Sequence, residues 1–210
     1  MKTPDAEVDA VVARLHAQLR EAGFAKRGRQ LGIRSGSDWG LIYVQQRTVP
    51  SGRLLTVNLG VYVNSIAVAL HESPLGLEFP IHGDPRLQPS VYSAHWQRRI
   101  GNMMPPAGND RWWDASSVEE VRELEEAVHR WGVPAVRDRL DARRLCTEWL
   151  SPEVDADLGR PVQLLFAAIL AYDLGDRATA RDVLQALGGL YPDMATRQTI
   201  SQLLAAWDAR

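Results

Sequence analysis

The clearest pattern in the sequence is a strict alternation of side chains between Leu54 and Val63. Alternation of this kind is typical of a β-strand, because successive side chains point to opposite faces. The apolar face would carry Leu55, Val57, Leu59, Val61 and Val63. The other face would carry Leu54, Thr56, Asn58, Gly60 and Tyr62. The segment is therefore predicted to be a central strand of a sheet.

The flanking pattern predicts an antiparallel meander covered by one helix. Apolar residues at helical spacing predict an amphipathic helix from Asp5 to Gly23. Two shorter segments, 30–35 and 41–48, are predicted as strands that short turns join to the strand at 54–63. Parallel pairing would need long crossovers, so the short connections favour antiparallel pairing. Residues 66–70 fit either a fourth strand or a short helix.

Residues 71–92 interrupt the regular pattern. Four prolines and two glycines in this stretch predict a long irregular excursion, and loops of that length are often functional or mobile. Order returns from His95 to Met104, which is predicted as a further strand or a strand-like edge.

The remainder of the chain has helical periodicity. Ser116 and Ser117 each precede a glutamate by three residues, which is the spacing of a capping box. Pro134 suits the first turn of a following helix that continues to Trp149. Ser151-Pro152 marks a boundary, two further helices meet at the turn 174–176, and a last helix passes through 200–207. The helical hairpin resembles one tetratricopeptide unit, without a second copy at the ~34-residue period of such repeats.

These elements predict an α+β fold. An N-terminal helix lies on a mostly antiparallel sheet of four or five strands, and an all-helical C-terminal half with a tetratricopeptide-like hairpin follows. The predicted domains are residues 1–150 and residues 151–210, with the second packed on the first.

Composition narrows the class of protein. Hydrophobic residues make up 45% and charged residues 24% of the 210 residues, as in an ordinary soluble globular protein. Residues 1–100 carry 12 basic and 8 acidic side chains, while residues 101–210 carry 12 and 18. This asymmetry is too small to predict a nucleic-acid interface. A single cysteine, no apolar run of membrane-spanning length and an acidic N-terminal segment favour a soluble cytoplasmic protein.

The order of several motifs resembles a known family. A helix is followed by GFAKRGRQLGIR, LIYVQQR, LLTVNLGVYV, HWQRRIGNMMP and DRWWD. This succession, over roughly residues 5–150, resembles the bacterial family known as domain of unknown function 4304. The NLGV, RRIG and DRWW segments together carry the resemblance. It implies the same α+β fold, and it implies no activity.

Catalytic signatures are absent from the sequence. The five histidines form neither an HExxH motif nor a close pair on one helix face, so no metal site or cofactor is expected. Cys146 lies in an apolar helical context that is typical of an inert thiol. Neither a nucleophile elbow nor a glycine-rich phosphate loop occurs. We therefore predict no catalytic residue, and an enzyme is the less favoured class.

A polar surface on the sheet is the best candidate site. If residues 95–100 pair with the central strand, alternation puts His95 and Arg99 on one face and Arg98 on the other. Asn58, His95 and Arg99, with Arg34 nearby, could then share a surface suited to an anion or a peptide. The candidate binding residues are Asn58, His95, Arg98, Arg99, Trp112 and Trp113.

A structural explanation competes with this site. Asn58 and His95 could satisfy local backbone groups, while Arg98 or Arg99 bonds Asp110 or Asp114. Trp112 and Trp113 would then be core and lid residues.

Three functions remain open at this level. The leading hypothesis is a non-enzymatic interaction protein that holds a protein partner, with no nucleic acid or membrane expected. The alternative is an enzyme or binder for an anionic small molecule, with His95 as acid/base and Arg99 as anion clamp. The third is an immunity or defence protein whose acidic C-terminal half masks a basic toxin surface.

Overall fold

The computed structural model describes residues 4–77, 80–82, 84, 86–106, 108–152 and 159–209. By their internal contacts, the residues form two compact units. The first unit comprises Met1–Tyr62 and Pro85–Leu140, and the second comprises Val63–Asp84 and Asp141–Arg210. The division into domains at 1–150 and 151–210 stays a prediction.

The first unit contains the sheet. Among the described residues, six strands form one antiparallel sheet in the order β1-β2-β3-β4-β5, and β6 also pairs with β4. The strands are β1 (Ala25–Arg27), β2 (Gln30–Ser35), β3 (Asp38–Val49), β4 (Gly52–Tyr62), β5 (Trp96–Arg99) and β6 (Trp113–Asp114). The predicted meander and the central position of the alternating strand are both confirmed.

Helices complete both units. The first unit has α1 (Pro4–Leu19), and later α3 (Val118–Ala127) and α4 (Val133–Arg139), which a π-helical turn at Val128–Gly132 joins. The second unit has α2 (Asn64–Leu70), α5 (Ala142–Leu150), α6 (Arg160–Asp173), α7 (Arg177–Leu190) and α8 (Met194–Asp208). The predicted α+β fold with a helical C-terminal half is confirmed. In the described part of the chain, no helix is long and apolar enough to cross a membrane.

One face of the sheet forms the main core. Leu55, Val57, Leu59 and Val61 of β4 are fully buried there, as the alternation predicts. The helix α4 packs closely on β3, since a Cβ added at Gly40 would lie 2.3 Å from Cγ1 of Val136. Glycine at this position therefore permits the contact between helix and strand.

Several boundaries differ from the prediction. The helix predicted from Pro134 to Trp149 is two helices, because Asp141 caps α5 by accepting hydrogen bonds from the backbone N–H groups of Arg143 and Arg144. The strand predicted over 95–104 covers only Trp96–Arg99, and a 3-10 turn (Ile100–Met103) follows it. The ambiguous segment at 66–70 belongs to the helix α2.

Candidate functional site

Within the described part of the chain, segment 88–94 covers one half of the second face of the sheet. Gln30 of β2 fixes the covering segment 88–94: its Nε2 donates to the Pro89 carbonyl at 2.7 Å, and its Oε1 accepts from Val91 N at 2.8 Å. Gly60 of β4 permits the close approach, since a Cβ there would lie 2.8 Å from Cβ of Ala94. The covered half is therefore core.

His95 belongs to that core. Its side chain has no exposed surface, its ring lies 5.1 Å from the ring of Tyr62, and its backbone N donates to the Val61 carbonyl at 2.9 Å. Burial lowers the pKa of His95 to about 3, so the imidazole is neutral at physiological pH. The hypothesis that His95 shares an exposed surface with Asn58 and Arg99 is therefore corrected, because the fold encloses it.

The other half of this face is partly exposed and carries a cluster that we call the open patch. Its members come from β3, β4, β5 and the segments beside them: Tyr43, Gln45, Arg47, Asn58, Tyr92, Arg99, Asp110 and Trp112. Asn58 lies directly opposite Tyr43 on one side and Arg99 on the other. Asn58 Nδ2 donates to Oε1 of Gln45 at 2.8 Å, so a side chain and not the backbone fixes this amide.

A carboxylate is held in the middle of the open patch. Oδ2 of Asp110 accepts a hydrogen bond from Arg99 at 2.5 Å and another from Nε1 of Trp112 at 3.1 Å. Burial raises the pKa of Asp110, but these two bonds and the charges of Arg99 and Arg47 outweigh it and lower the pKa below its usual value. Asp110 is therefore ionised at neutral pH. The alternative that Arg98 or Arg99 bonds Asp110 or Asp114 holds for the pair of Arg99 and Asp110.

Two guanidinium groups approach the ring of Trp112. Cζ of Arg47 lies 4.3 Å and Cζ of Arg99 lies 5.3 Å from the ring centroid, both within range of a cation–π contact. The indole thus holds both cations near the carboxylate of Asp110.

Two tyrosines border the cluster. The rings of Tyr43 and Tyr92 meet edge to face at 5.6 Å, and Tyr92 is 61% exposed. Burial and the neighbouring Tyr43 raise the pKa of Tyr92. The charge of Arg99 lowers this pKa, but it does not cancel the rise. Tyr92 is therefore a neutral phenol at the accessible edge of the open patch.

The three segments that carry the family resemblance meet at the open patch. NLGV contributes Asn58, RRIG contributes Arg99, and DRWW contributes Asp110 and Trp112. The glycine of RRIG permits this convergence. A Cβ added at Gly101 would lie 2.2 Å from the carbonyl oxygen of Asn109, so any larger residue would push the DRWW segment away.

The remaining candidates lie elsewhere. Trp113 is fully buried, pairs with Leu55 in the sheet and belongs to the core. Arg98 lies opposite Leu59, on the other face from Arg99. Arg34 donates to the Gly36 carbonyl at the β2–β3 turn and lies beside Trp39, outside the open patch.

Sequence reasoning missed five members of the open patch as site residues: Tyr43, Gln45, Arg47, Tyr92 and Asp110. Asp110 was named only as a bonding partner of Arg98 or Arg99 in the structural explanation. The positions of the first three could have been predicted from the turn between β3 and β4. The two-residue turn after Val49 pairs Val49 with Gly52, and this pair fixes the register of all the other pairs between the two strands. Tyr92 gave no such signal. Among the residues that the structure describes, no three His, Cys, Asp or Glu side chains lie together as metal ligands.

Residues 15–131 match the sequence profile of the domain of unknown function DUF4304. The chain belongs to this family. The resemblance predicted from the ordered motifs is thereby confirmed. The match includes every residue of the open patch, so that surface lies within the DUF4304 domain. Comparisons with curated proteins and with solved structures give no match.

Proposed function

We propose that this chain is a non-enzymatic binding module whose open patch holds an acidic segment of a partner protein. The observation that carries the proposal is the carboxylate of Asp110, which accepts hydrogen bonds from both Arg99 and Trp112. A carboxylate supplied by a partner would find the same donors. Asp110 thus occupies, with a side chain of the protein itself, a site that can bind the carboxylate of a partner.

The charge of the open patch supports an acidic partner. Two guanidinium groups, those of Arg47 and Arg99, face the single carboxylate of Asp110. Among the eight residues of the open patch, one net positive charge therefore remains when Asp110 is ionised. Charge-assisted hydrogen bonds to a carboxylate are about twice as strong as neutral ones, and an arginine can bind both oxygens at once.

The residue types in the open patch also support protein binding. Tyr, Trp and Arg are the residues most enriched among those that dominate the affinity of protein interfaces. Tyr43, Tyr92 and Trp112 provide large ring surfaces beside the two arginines. Rings lose little conformational entropy on binding, since few bonds rotate.

The position of His95 favours this proposal over an enzyme that acts on an anionic small molecule. A general acid or base must reach the proton that it transfers. His95 has no exposed surface, so it cannot reach a ligand at the surface, and its pKa of about 3 means that the imidazole carries no charge at neutral pH. In this proposal Arg99 binds an anion, without His95 beside it at the surface.

Site-specific photo-crosslinking tests the proposal. p-Benzoylphenylalanine would replace Tyr92, which is an exposed aromatic residue at the edge of the open patch. The protein would be irradiated in a lysate of cells that naturally express it, and the products would be identified by mass spectrometry. We expect an adduct with a protein that contributes an acidic segment, and we expect 0.5 M salt to suppress it because salt screens exposed charges.

The matched control is another exposed arginine of the same unit. Arg122 pairs with Glu126 on the surface of α3 and is not a member of the open patch. The adduct should disappear with Arg99→Ala and persist with Arg122→Ala. An adduct that survives Arg99→Ala, or one formed by a basic segment, would refute the proposal.

A further inference from the structure

The second unit contains a pocket whose described lining residues include none of the open patch. Residues of α2, α6 and α8 line it, together with residues after α2, and all of them belong to this unit. Its volume is about 620 Å³, within the range of sites that enclose small molecules. Ile169 and Leu203 contribute buried apolar surface to it.

Two stacked rings give the pocket an ordered aromatic wall. The rings of Tyr172 and Trp207 lie 4.2 Å apart and only 7° from parallel. The hydroxyl of Tyr172 also donates to the Trp207 carbonyl at 3.3 Å, which joins α6 to α8 at this point. A flat apolar group of a ligand would find a preformed surface beside these rings.

The charged residues of the lining are acidic. Glu72 and Asp173 are exposed carboxylates at the pocket, the exposed imidazole of His71 lies in the lining beside them, and no lysine or arginine is among the described residues that line it. Hydroxyl groups add hydrogen-bonding capacity, since Ser73 and Thr199 lie 3.1 Å apart in the wall. The pocket thus combines an apolar body with a negative rim.

We infer that this pocket binds a small organic cation, an amine with an aromatic or apolar body. The apolar body would displace water from the surface near Tyr172 and Trp207, and the ammonium group would face Glu72 and Asp173. A carboxylate in the same position would meet like charge at the rim. Arg177 lies outside the lining, with its Cζ 5.3 Å from the centroid of the Tyr172 ring. Its positive charge repels a cation and so reduces the preference of the pocket for one.

Three probes that share an indole ring and differ in charge test this inference. Tryptamine is a cation at pH 7, tryptophol is neutral and indole-3-propionate is an anion. Each would be titrated into the full-length ¹⁵N-labelled protein and followed by backbone amide shifts. We expect tryptamine to bind most tightly, with shifts confined to α2, α6 and α8, and about fivefold more tightly than tryptophol, the effect of one partly screened charge interaction.

Variants separate charge from packing. Asp173→Asn should weaken tryptamine about fivefold and leave tryptophol unchanged, and Arg177→Gln should strengthen tryptamine. Asp182→Asn removes an exposed carboxylate of α7 that is not part of the lining, and it should change neither affinity. Equal affinities for the three probes, tightest binding of indole-3-propionate, absence of binding at millimolar concentration, or equal effects of Asp173→Asn and Asp182→Asn would overturn the inference.

Discussion

Asn58 of β4 and Arg99 of β5 occupy directly opposite positions in the antiparallel pairing of their strands. Their side chains therefore lie on the same face of the sheet. They belong to the half of that face that segment 88–94 does not cover. The register thus brings two separate sequence motifs together. The hydrogen bond from Arg99 to Asp110 then joins the DRWW segment to the NLGV and RRIG segments.

We predict that Gly101→Ala disrupts the open patch by displacing the backbone on either side of Asp110. The added Cβ would lie 2.2 Å from the carbonyl oxygen of Asn109 and 2.8 Å from the backbone N of Arg111, so this backbone must move. Forced repacking of this kind costs about 1–3 kcal/mol of unfolding free energy. Urea unfolding measures the loss, and the crosslink at position 92 should weaken with it.

The control for that substitution is Gly189→Ala. Gly189 lies in α7, and a Cβ there would have no atom within 4 Å. Alanine is a better helix former than glycine, so this variant should be slightly more stable than the wild type. If Gly101→Ala were as stable as Gly189→Ala, the tight contact between the RRIG and DRWW segments would be refuted.

The buried imidazole of His95 predicts a dependence of stability on pH. Its pKa falls from 6.5 in the unfolded chain to about 3 in the fold, so the unfolded chain binds more protons between these values. The contribution of His95 to the unfolding free energy is therefore fully present above pH 6.5, and it is lost as the pH is lowered towards 3. Between pH 7 and pH 5.5, the wild type should lose about 1 kcal/mol of unfolding free energy from this residue.

Urea titrations at both pH values measure this loss. His95→Gln removes the titrating group and should lose about 1 kcal/mol less than the wild type over the same interval. A slope that does not change in His95→Gln would contradict the burial of a neutral imidazole.

The sheet was predictable because alternation records which side chains share a face. The pattern of residues 54–63 predicted β4 and its buried side, and the same reasoning placed Asn58 with Arg99. Alternation does not record which part of a face is later covered. Segment 88–94, far along the chain, closes over the half of the face where His95 lies buried, so that histidine was wrongly expected at the surface.

Helical periodicity has a similar limit. The apolar residues Val136, Leu140 and Leu145 continue one pattern across the end of α4, so periodicity alone predicted one helix. The break depends on Asp141, whose side chain satisfies the first N–H groups of α5.

We predict that Asp110→Asn strengthens binding at the open patch. The carboxylate of Asp110 competes with a partner's carboxylate for Arg99 and Trp112, and an amide competes less strongly for a guanidinium group. The affinity for the crosslinked partner segment should rise several-fold, as measured by isothermal titration calorimetry.

Asp9→Asn is the control for Asp110→Asn, because it removes an exposed carboxylate of the same unit that pairs with Arg29. It should leave the affinity within about twofold of the wild type. Weaker binding by Asp110→Asn would show that Asp110 supports the open patch and does not occupy it.

The measurement that tests the central claim most directly is the affinity of the open patch for that acidic segment, prepared as a synthetic peptide. We predict that Arg99→Ala weakens the peptide about tenfold or more, as the loss of a charged hydrogen bond requires, while Arg122→Ala stays within about twofold of the wild type. Equal affinities of the wild type and Arg99→Ala, with both proteins folded, would contradict the account.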